Sequence, residues 1–120
     1  MGQKKTEVLF LDDARSFVYS QPLPVVKKIF NVIDRVLGGE MNSVIFKKID
    51  HNGIWEFRIS YENMAYRLLA FWYVKQSRLI VATHGFIKKK QKTPQKEIKK
   101  AIKMMGFYYK EKDNNSQWNK

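Results

Sequence analysis

The sequence predicts an α+β fold in which an N-terminal strand and two helices pack on a mostly antiparallel sheet, in the order β-α-α-β-β-β-α. The first observation is a meander over residues 54–90, whose three strand-like segments are joined by loops too short for parallel crossovers. The second is the presence of helical patterns before and after the meander. The 120 residues suffice for one domain, predicted over residues 1–110, with 111–120 as a disordered polar tail.

The N-terminal third is interpreted as one strand and two helices. The stretch Glu7–Leu11 predicts a short buried strand, and Asp12 is suited to cap the helix that follows it. Pro22 and Pro24 predict the end of that helix and the start of another, which Gly38–Gly39 then terminate. The second helix has an amphipathic stripe at three- and four-residue spacing, formed by Val25, Ile29, Val32, Ile33, Val36 and Leu37.

The meander follows a turn. Residues 44–49 are either a short strand or an extended connection, and Asn52-Gly53 favours a type I′ turn before the first long strand. Thr93-Pro94 opens a final basic helix, with the threonine as its cap. The helices are expected on one face of the sheet, whose three meander strands are predicted at Ile54–Tyr61, Met64–Val74 and Leu79–Ile87.

The hairpin loops set the register of the meander. If Glu62–Asn63 is a two-residue loop, Arg58 lies directly opposite Arg67. A two- or four-residue loop in the next hairpin places His84 opposite Leu69 and Phe86 opposite Arg67, whereas a three-residue loop sends His84 to the other face. The favoured register puts on the apolar face Trp55, Phe57, Ile59, Tyr66, Leu68, Ala70, Trp72, Leu79 and Val81, and on the polar face Glu56, Arg58, Ser60, Arg67, His84, Phe86 and Lys88.

The charge of the chain predicts an anionic partner. The 23 Lys+Arg exceed the 11 Asp+Glu, giving a formal net charge of +12, and nucleic acid is the commonest partner for such a balance. The alternative is a charged surface that serves only solubility. Cysteine is absent, which excludes disulfides and thiolate nucleophiles, and two histidines offer too few ligands for zinc. We expect no metal, no cofactor, no membrane association and a cytoplasmic location, since no apolar run has the length of a membrane span.

The opposed arginines are the first functional candidates. Like charges directly opposite each other destabilise a sheet, so the facing pair Arg58 and Arg67 favours a role in binding phosphate oxygens. The competing interpretation is a structural ion pair with Glu56 on the same face, although one carboxylate cannot neutralise both arginines. His84 is either a neutral base beside these cations or a hydrogen-bonded core residue, and the sequence leaves both open.

A second set of candidates follows the last strand. Lys88, Lys89, Lys90 and Lys92 precede the N-terminus of the final helix, and both a basic run and a helix N-terminus attract phosphate. A lysine run is otherwise a solvated surface. Phe86 offers a ring on which an unpaired RNA base can stack, with core packing as its alternative role.

Two stretches carry a resemblance to a known family, namely WEFRISYENMAYRLLAFWYV and HGFIKKKQKTPQKEIKKA. The shared patterns are W-E-F-R, then Y-R before an apolar strand, then H-G-F-x-K-K-x-x-K-T-P before a basic helix. Over residues 53–101 the chain resembles the RelE/ParE toxin superfamily and, within it, the HigB-like branch found in phages and bacterial chromosomes. The two preceding helices match in type and order only.

The resemblance implies the toxin of a type II toxin–antitoxin pair, an mRNA endoribonuclease that works on the ribosome without a metal and is neutralised by a helix-turn-helix antitoxin. By motif position it nominates for the active face Arg58, Arg67, His84, Phe86, Lys88 and Lys89. In the expected chemistry the RNA 2′-hydroxyl attacks the adjacent phosphate, with His84 or Glu56 as proton acceptor and the arginines as phosphate clamp. The competing functions are a ParE-like gyrase poison on the same fold and a nucleic-acid-binding protein without catalysis.

Overall fold

The computed structural model describes residues 5–89 and 91–118. Its elements are β1 (Glu7–Phe10), α1 (Asp12–Tyr19), α2 (Leu23–Leu37), β2 (Phe46–Lys48), β3 (Ile54–Tyr61), β4 (Met64–Trp72), β5 (Leu79–Lys88) and α3 (Gln95–Trp118). The predicted α+β class is confirmed. The predicted element order lacked one strand, because the undecided segment before the Asn-Gly turn forms β2 against β3.

The strands form one five-stranded mixed sheet in the order β1-β5-β4-β3-β2. The β2–β3, β3–β4 and β4–β5 pairs are antiparallel, as short loops require. β1 instead pairs with β5 in parallel, with Glu7 beside Leu79 and Phe10 beside Ala82. The predicted antiparallel sheet is therefore corrected to a mixed one. The chain leaves β1 through helices, not a hairpin, so no local turn imposes the antiparallel direction on this edge.

Helices cover both faces of the sheet, not one as predicted. α1 and α2 pack on the face that carries Phe57 and Leu68, where the apolar stripe of α2 is buried. α3 packs on the opposite face over Leu69 and Phe71, which it contacts through a cluster that includes Ile98. The face predicted to be polar is consequently apolar beneath α3, and its charged part lies towards the start of that helix.

The loop between β4 and β5 has an odd number of residues, contrary to the favoured register. The backbone N–H of Tyr73 donates to the carbonyl of Leu79, which leaves residues 74–78 as the loop. Side chains at the start of β5 are therefore exchanged between the two faces. Leu79 and Val81, predicted on the face of α1 and α2, lie instead in the core beneath α3.

A β-bulge further along β5 restores the predicted register towards the C-terminal end of that strand. The β4–β5 ladder shifts by one residue after Leu69, which leaves Thr83 as the extra residue of β5. Beyond this point His84 lies opposite Leu69 and Phe86 lies opposite Arg67. Both predicted pairs are confirmed, but they depend on the bulge and not on an even-numbered loop.

The type I′ turn of the meander lies at Glu62–Asn63, not at Asn52-Gly53. Glu62 and Asn63 have φ angles of 47° and 64°, the pattern of a two-residue type I′ loop, and the flanking strands pair as predicted. At the earlier turn the positive φ is at Gly53, 98°, whereas the N–H of Asn52 donates to the side chain of Asp50. The type I′ prediction at Asn52-Gly53 was wrong, because this aspartate organises a different turn.

The ends of the first two helices differ in how well the sequence predicts them. Asp12 lies inside the first turn of α1, where Leu11 holds the cap position and no side chain caps the helix, so the predicted Asp12 cap was wrong. α2 follows Pro22 and ends at Leu37, before Gly38. Gly39 then adopts a φ of 102°, which only glycine takes easily, as predicted for this stop.

The predicted disordered tail is helical as far as it is described, since α3 continues to Trp118. The hydroxyl of Tyr109 accepts a hydrogen bond from the N–H of Val74, and Lys75 forms an ion pair with Asp113 at 2.7 Å. These contacts hold the second half of α3 against the β4–β5 loop. Residues 119–120 lie outside the described residues, and the domain boundary at 110 stays a prediction. Within the described chain, no helix combines the length and the apolar character needed to cross a bilayer.

Candidate active site

The register of β3 and β4 places two arginines face to face. Arg58 lies directly opposite Arg67, as predicted, and Glu56 precedes Arg58 on the same face of β3. Glu56 Oε2 is 3.6 Å from Arg58 Nε, and Glu56 Oε1 is 3.7 Å from Arg67 Nε. One carboxylate therefore contacts both guanidinium groups, and the cluster of these three side chains keeps an excess of positive charge.

This charged cluster is largely removed from solvent. Glu56 is 3% exposed and Arg67 is 5% exposed, while Arg58 is half-buried. Burial lowers the pKa of Arg67 below its ordinary value, an effect that Glu56 opposes and the charge of Arg58 reinforces. Each guanidinium donates through Nη1 to a backbone carbonyl, at 3.2 Å for Arg58 and 3.1 Å for Arg67. Among the described residues, however, the Nε atoms of both arginines are buried without a hydrogen-bond partner.

Thr93 connects the charged cluster to the start of α3. Its hydroxyl donates to Glu56 Oε1 at 2.7 Å, a short hydrogen bond of the kind that carboxylates accept. The sequence predicted Thr93 as the cap of the final helix, but α3 begins at Gln95 and the threonine side chain binds the carboxylate instead. The prediction of the cap was wrong because Pro94, not Thr93, directly precedes the helix, and its carbonyl accepts the first helical hydrogen bonds.

A cavity of ≈ 410 Å³ opens over the charged cluster, and we call it the basic cavity. It is lined mainly by cations around one acid, namely by Lys47, Lys48, Ile49, Glu56, Arg58, Lys88, Gln91, Lys92, Thr93, Gln95 and Ile98. Lys47 and Lys48 were missed by the sequence prediction. They reach the cavity because β2 pairs with β3, with Lys47 directly opposite Glu56. The usable signal was the pair of lysines after Ile45-Phe46, in a segment whose strand assignment was left open.

The predicted lysines divide between two surfaces. Lys88 and Lys92 line the basic cavity, whereas Lys89 lines a different cavity together with Phe86. Lys90, also predicted to bind RNA, lies outside the described residues. The described lysines of the basic run therefore line two cavities and not one.

Lys88 is the lysine with the most perturbed surroundings in this part of the structure. Burial lowers its pKa below the ordinary value, and the charges of Arg67 and Arg58 lower it further while Glu56 opposes them. A lysine with a lowered pKa gives up its proton more readily than a surface lysine. Lys88 is thus suited to transfer a proton within the basic cavity.

His84 lies inside the protein and is not among the residues that line the basic cavity. It is 3% exposed, with Nδ1 3.1 Å from Thr83 Oγ1 and Nε2 3.1 Å from Glu97 Oε1. Burial lowers the pKa of His84, and the charge of Lys100 adds to this effect, while the hydrogen bond with Glu97 opposes it. Of the two interpretations that the sequence left open, this position favours the hydrogen-bonded core histidine. A catalytic role for His84 stays a prediction.

The residues that the structure brings together can bind and rearrange an oxyanion. Glu56 can accept a proton, Arg58 can bind phosphate oxygens, and Lys88 can donate a proton. Arg67 is buried and does not line the basic cavity, so it acts on a ligand through its charge. In the described part of the chain, no group of three or more His, Cys, Asp or Glu residues is arranged to hold a metal ion. The cations and the carboxylate are therefore the functional groups that the site offers to a ligand.

A match to one protein family covers most of the chain. The model of a family described as phage derived protein Gp49-like (DUF891) matches residues 16–106. That range runs from α1 into α3 and includes the whole meander, whereas a search of curated proteins finds no match. The Gp49-like family is RelE-like and is associated with toxins of toxin–antitoxin systems, in agreement with the resemblance at the level of the superfamily. With the family match spanning the strands that carry the charged cluster, the chain belongs to the Gp49-like family of phage-derived proteins.

Proposed function

We propose that this chain is a HigB-like toxin of a type II toxin–antitoxin pair, and that it inhibits translation by cleaving mRNA. Its family supports a toxin role, and its formal charge of +12 supports RNA as the target. The observation that carries the cleavage proposal is the charged cluster. It holds two opposed arginines whose buried Nε atoms have no hydrogen-bond partner in the described chain, with one carboxylate between them.

Such a cluster destabilises a sheet unless an anion binds to it. Facing arginines repel each other, and a buried donor without a hydrogen bond costs about 1–3 kcal/mol. A phosphodiester in the basic cavity balances the excess positive charge, and its oxygens can accept hydrogen bonds from the terminal nitrogens of Arg58. A purely structural ion pair with Glu56 would need only one of the two arginines.

In the proposed reaction the RNA phosphate enters the basic cavity and accepts hydrogen bonds from Arg58, which lines it. Arg67 is 5% exposed and lies behind this lining, so it contributes its positive charge. Glu56 takes the proton of the adjacent 2′-hydroxyl, whose oxygen forms a bond to phosphorus. The bond from phosphorus to the 5′ oxygen breaks, and Lys88 donates a proton to this leaving oxygen. Glu56 thus gains one proton and Lys88 loses one, and the products are a 2′,3′-cyclic phosphate and a 5′-hydroxyl. The arginines stabilise the charge that develops on the phosphorane.

Glu56 is preferred to His84 as the proton acceptor because Glu56 lines the basic cavity. His84 has both ring nitrogens within 3.1 Å of other side chains and is not in this lining. Proton transfer by a positioned side chain contributes about 10²–10⁴-fold to a rate. The scheme uses no metal and no cofactor, since these side chains supply base, acid and charge stabilisation.

The proposed partners follow from the proposed substrate. An mRNA that is being translated is presented by the ribosome, and a basic protein is attracted to ribosomal RNA over long distances. A cognate antitoxin, which we expect to be a helix-turn-helix protein, would neutralise the toxin by blocking the basic cavity. A cytoplasmic location belongs to the same proposal, because translated mRNA is found there.

The proposal is tested by inducing the protein in cells and mapping the ends of their mRNAs. Wild type is expected to arrest growth and to leave 5′-hydroxyl ends at the cuts. Arg58→Met removes the guanidinium that lines the basic cavity but keeps an apolar stem, and it is expected to lower cleavage by about 10²-fold or more. Lys28→Ala on the exposed side of α2 is the matched control and should cleave as wild type. Gyrase-dependent DNA breaks without mRNA cleavage would favour the ParE-like function, and RNA binding without cleavage would favour a binding protein.

A further inference from the structure

A second cavity lies between the end of β5 and the start of α3. Its volume is ≈ 490 Å³ and its lining consists of Phe86, Ile87, Lys89, Pro94, Lys96 and Glu97. This volume falls within the range of ligand sites, about 300–1,000 Å³. Phe86 is the direct partner of Arg67 in the β4–β5 ladder, so one wall of the second cavity adjoins the charged cluster.

The lining of the second cavity suits an unpaired nucleobase. Phe86 and Pro94 offer apolar surface, and aromatic rings are the usual stacking partners of splayed RNA bases. Lys89 and Lys96 are exposed and place positive charge where the backbone of a bound strand would run. Glu97 is the acid in this lining. A carboxylate repels a phosphate but accepts hydrogen bonds from an amino group.

Glu97 is held in place by the buried histidine. Its Oε1 is 3.1 Å from His84 Nε2, and because a carboxylate only accepts hydrogen bonds, the proton of this bond belongs to His84. On its other side the imidazole is fixed by Thr83, at 3.1 Å from Nδ1. Among the described residues the hydrogen bond of Glu97 is made by Oε1, which leaves Oε2 as an acceptor for a ligand. The proposed cleavage mechanism makes no use of this pair.

We infer that the second cavity is a base pocket that selects nucleotides with an exocyclic amino group beside the cleaved phosphodiester, with Glu97 as the specificity-determining residue. The inference rests on the proposed RNA target and names the bases that the site accepts. Glu97 Oε2 would accept from N4 of cytosine, N6 of adenine or N2 of guanine. Uracil has a carbonyl oxygen at that position, which repels the carboxylate. His84 is a positioning residue that keeps the carboxylate turned towards the base pocket.

The test is equilibrium binding of single-stranded oligo-A, oligo-C and oligo-U with 2′-fluoro sugars, which cannot be cleaved because they lack the 2′-hydroxyl. Wild type is expected to bind oligo-A and oligo-C about tenfold or more tightly than oligo-U. Glu97→Gln keeps a carbonyl oxygen for His84 but presents an amide donor to the base pocket, so this ratio should fall below about threefold or reverse. Glu111→Gln, exposed on the same helix, is the matched control and should keep the wild-type ratio.

Phe86→Leu separates stacking from base selection, because it should weaken the binding of all three oligonucleotides alike and leave the ratio of their affinities unchanged. If Glu97→Gln fails to fold, Glu97→Asp keeps the charge, shortens its reach and should also lower the ratio. Equal wild-type affinities, binding to none of the three, or an unchanged ratio in the Glu97 variants would overturn the inference. Cleavage of ordinary RNA is scored separately. A protein that binds the oligonucleotides selectively but cuts no RNA would refute the proposed nuclease and support the base pocket. A protein that cuts RNA but binds the oligonucleotides with equal affinity would support the nuclease and refute the base pocket.

Discussion

Replacing Glu56 by glutamine should destabilise the protein as well as stop cleavage. The change removes the only carboxylate that the structure places within ion-pair distance of Arg58 and Arg67 in the described chain. The buried Arg67 and the half-buried Arg58 then face each other without a counter-charge. Glutamine is close in shape to glutamate and keeps a carbonyl oxygen for the hydroxyl of Thr93, so the loss reports on charge and not on packing.

The magnitude follows from the two distances. At 3.6 and 3.7 Å a pair of unit charges attracts by about 4–5 kcal/mol at an effective dielectric constant of ~20. Solvent near the half-buried Arg58 weakens its share, whereas removing one member of a buried ion pair costs about 3–5 kcal/mol. We therefore expect Glu56→Gln to lower the free energy of unfolding by about 3 kcal/mol.

Urea denaturation followed by circular dichroism measures this loss. Inorganic phosphate should recover part of it in Glu56→Gln, because an anion bound only by the folded state raises stability. The control Glu111→Gln removes an exposed acid and should stay within about 0.5 kcal/mol of wild type. A loss below about 1 kcal/mol for Glu56→Gln would mean that the arginines do not depend on this carboxylate.

Three further predictions concern other parts of the molecule. A Cβ at Gly85 would collide with the ring of Phe17, so Gly85→Ala should cost about 1–3 kcal/mol in thermal unfolding. Phe17→Ala in the same chain should recover part of this cost, and an unchanged melting temperature in Gly85→Ala would contradict the packing. Burial lowers the pKa of His84 below its ordinary 6.5, so the unfolded chain takes up the proton first and stability should fall as the pH drops below 6.5. His84→Gln should flatten this dependence in urea titrations at several pH values, and an unaltered pH profile would count against it. Lys47→Ala should reduce the salt slope of single-stranded RNA binding by about 0.7 in fluorescence anisotropy, while Lys28→Ala should not; equal slopes would exclude β2 from the interface.

The facing arginines of the site could be predicted because a two-residue loop fixes the register of its hairpin. Once Glu62–Asn63 closes the hairpin, side chains alternate with period two, and Arg58 must meet Arg67. Local sequence also contains the apolar stripe of α2 and the stop at Gly39. These features depend on residues near one another in the chain, which is why the sequence predicts them.

The features that escaped prediction depend on distant parts of the chain. The parallel return of β1 to β5 and the bulge at Thr83 are set by tertiary packing, which no local pattern encodes. Because α3 covers the second face of the sheet, His84 is buried there and Thr93 reaches Glu56. β2 brings Lys47 into the basic cavity although its three residues are too few for a clear strand pattern.

Attack of the RNA 2′-hydroxyl in the basic cavity leaves chemically distinct ends. These ends can be identified after the purified protein is added to a translation reaction programmed with one mRNA. We expect 5′-hydroxyl and 2′,3′-cyclic phosphate ends, which Arg58→Met should abolish and Lys28→Ala should leave unchanged. An intact mRNA, or cuts that carry a 5′-phosphate, would contradict it.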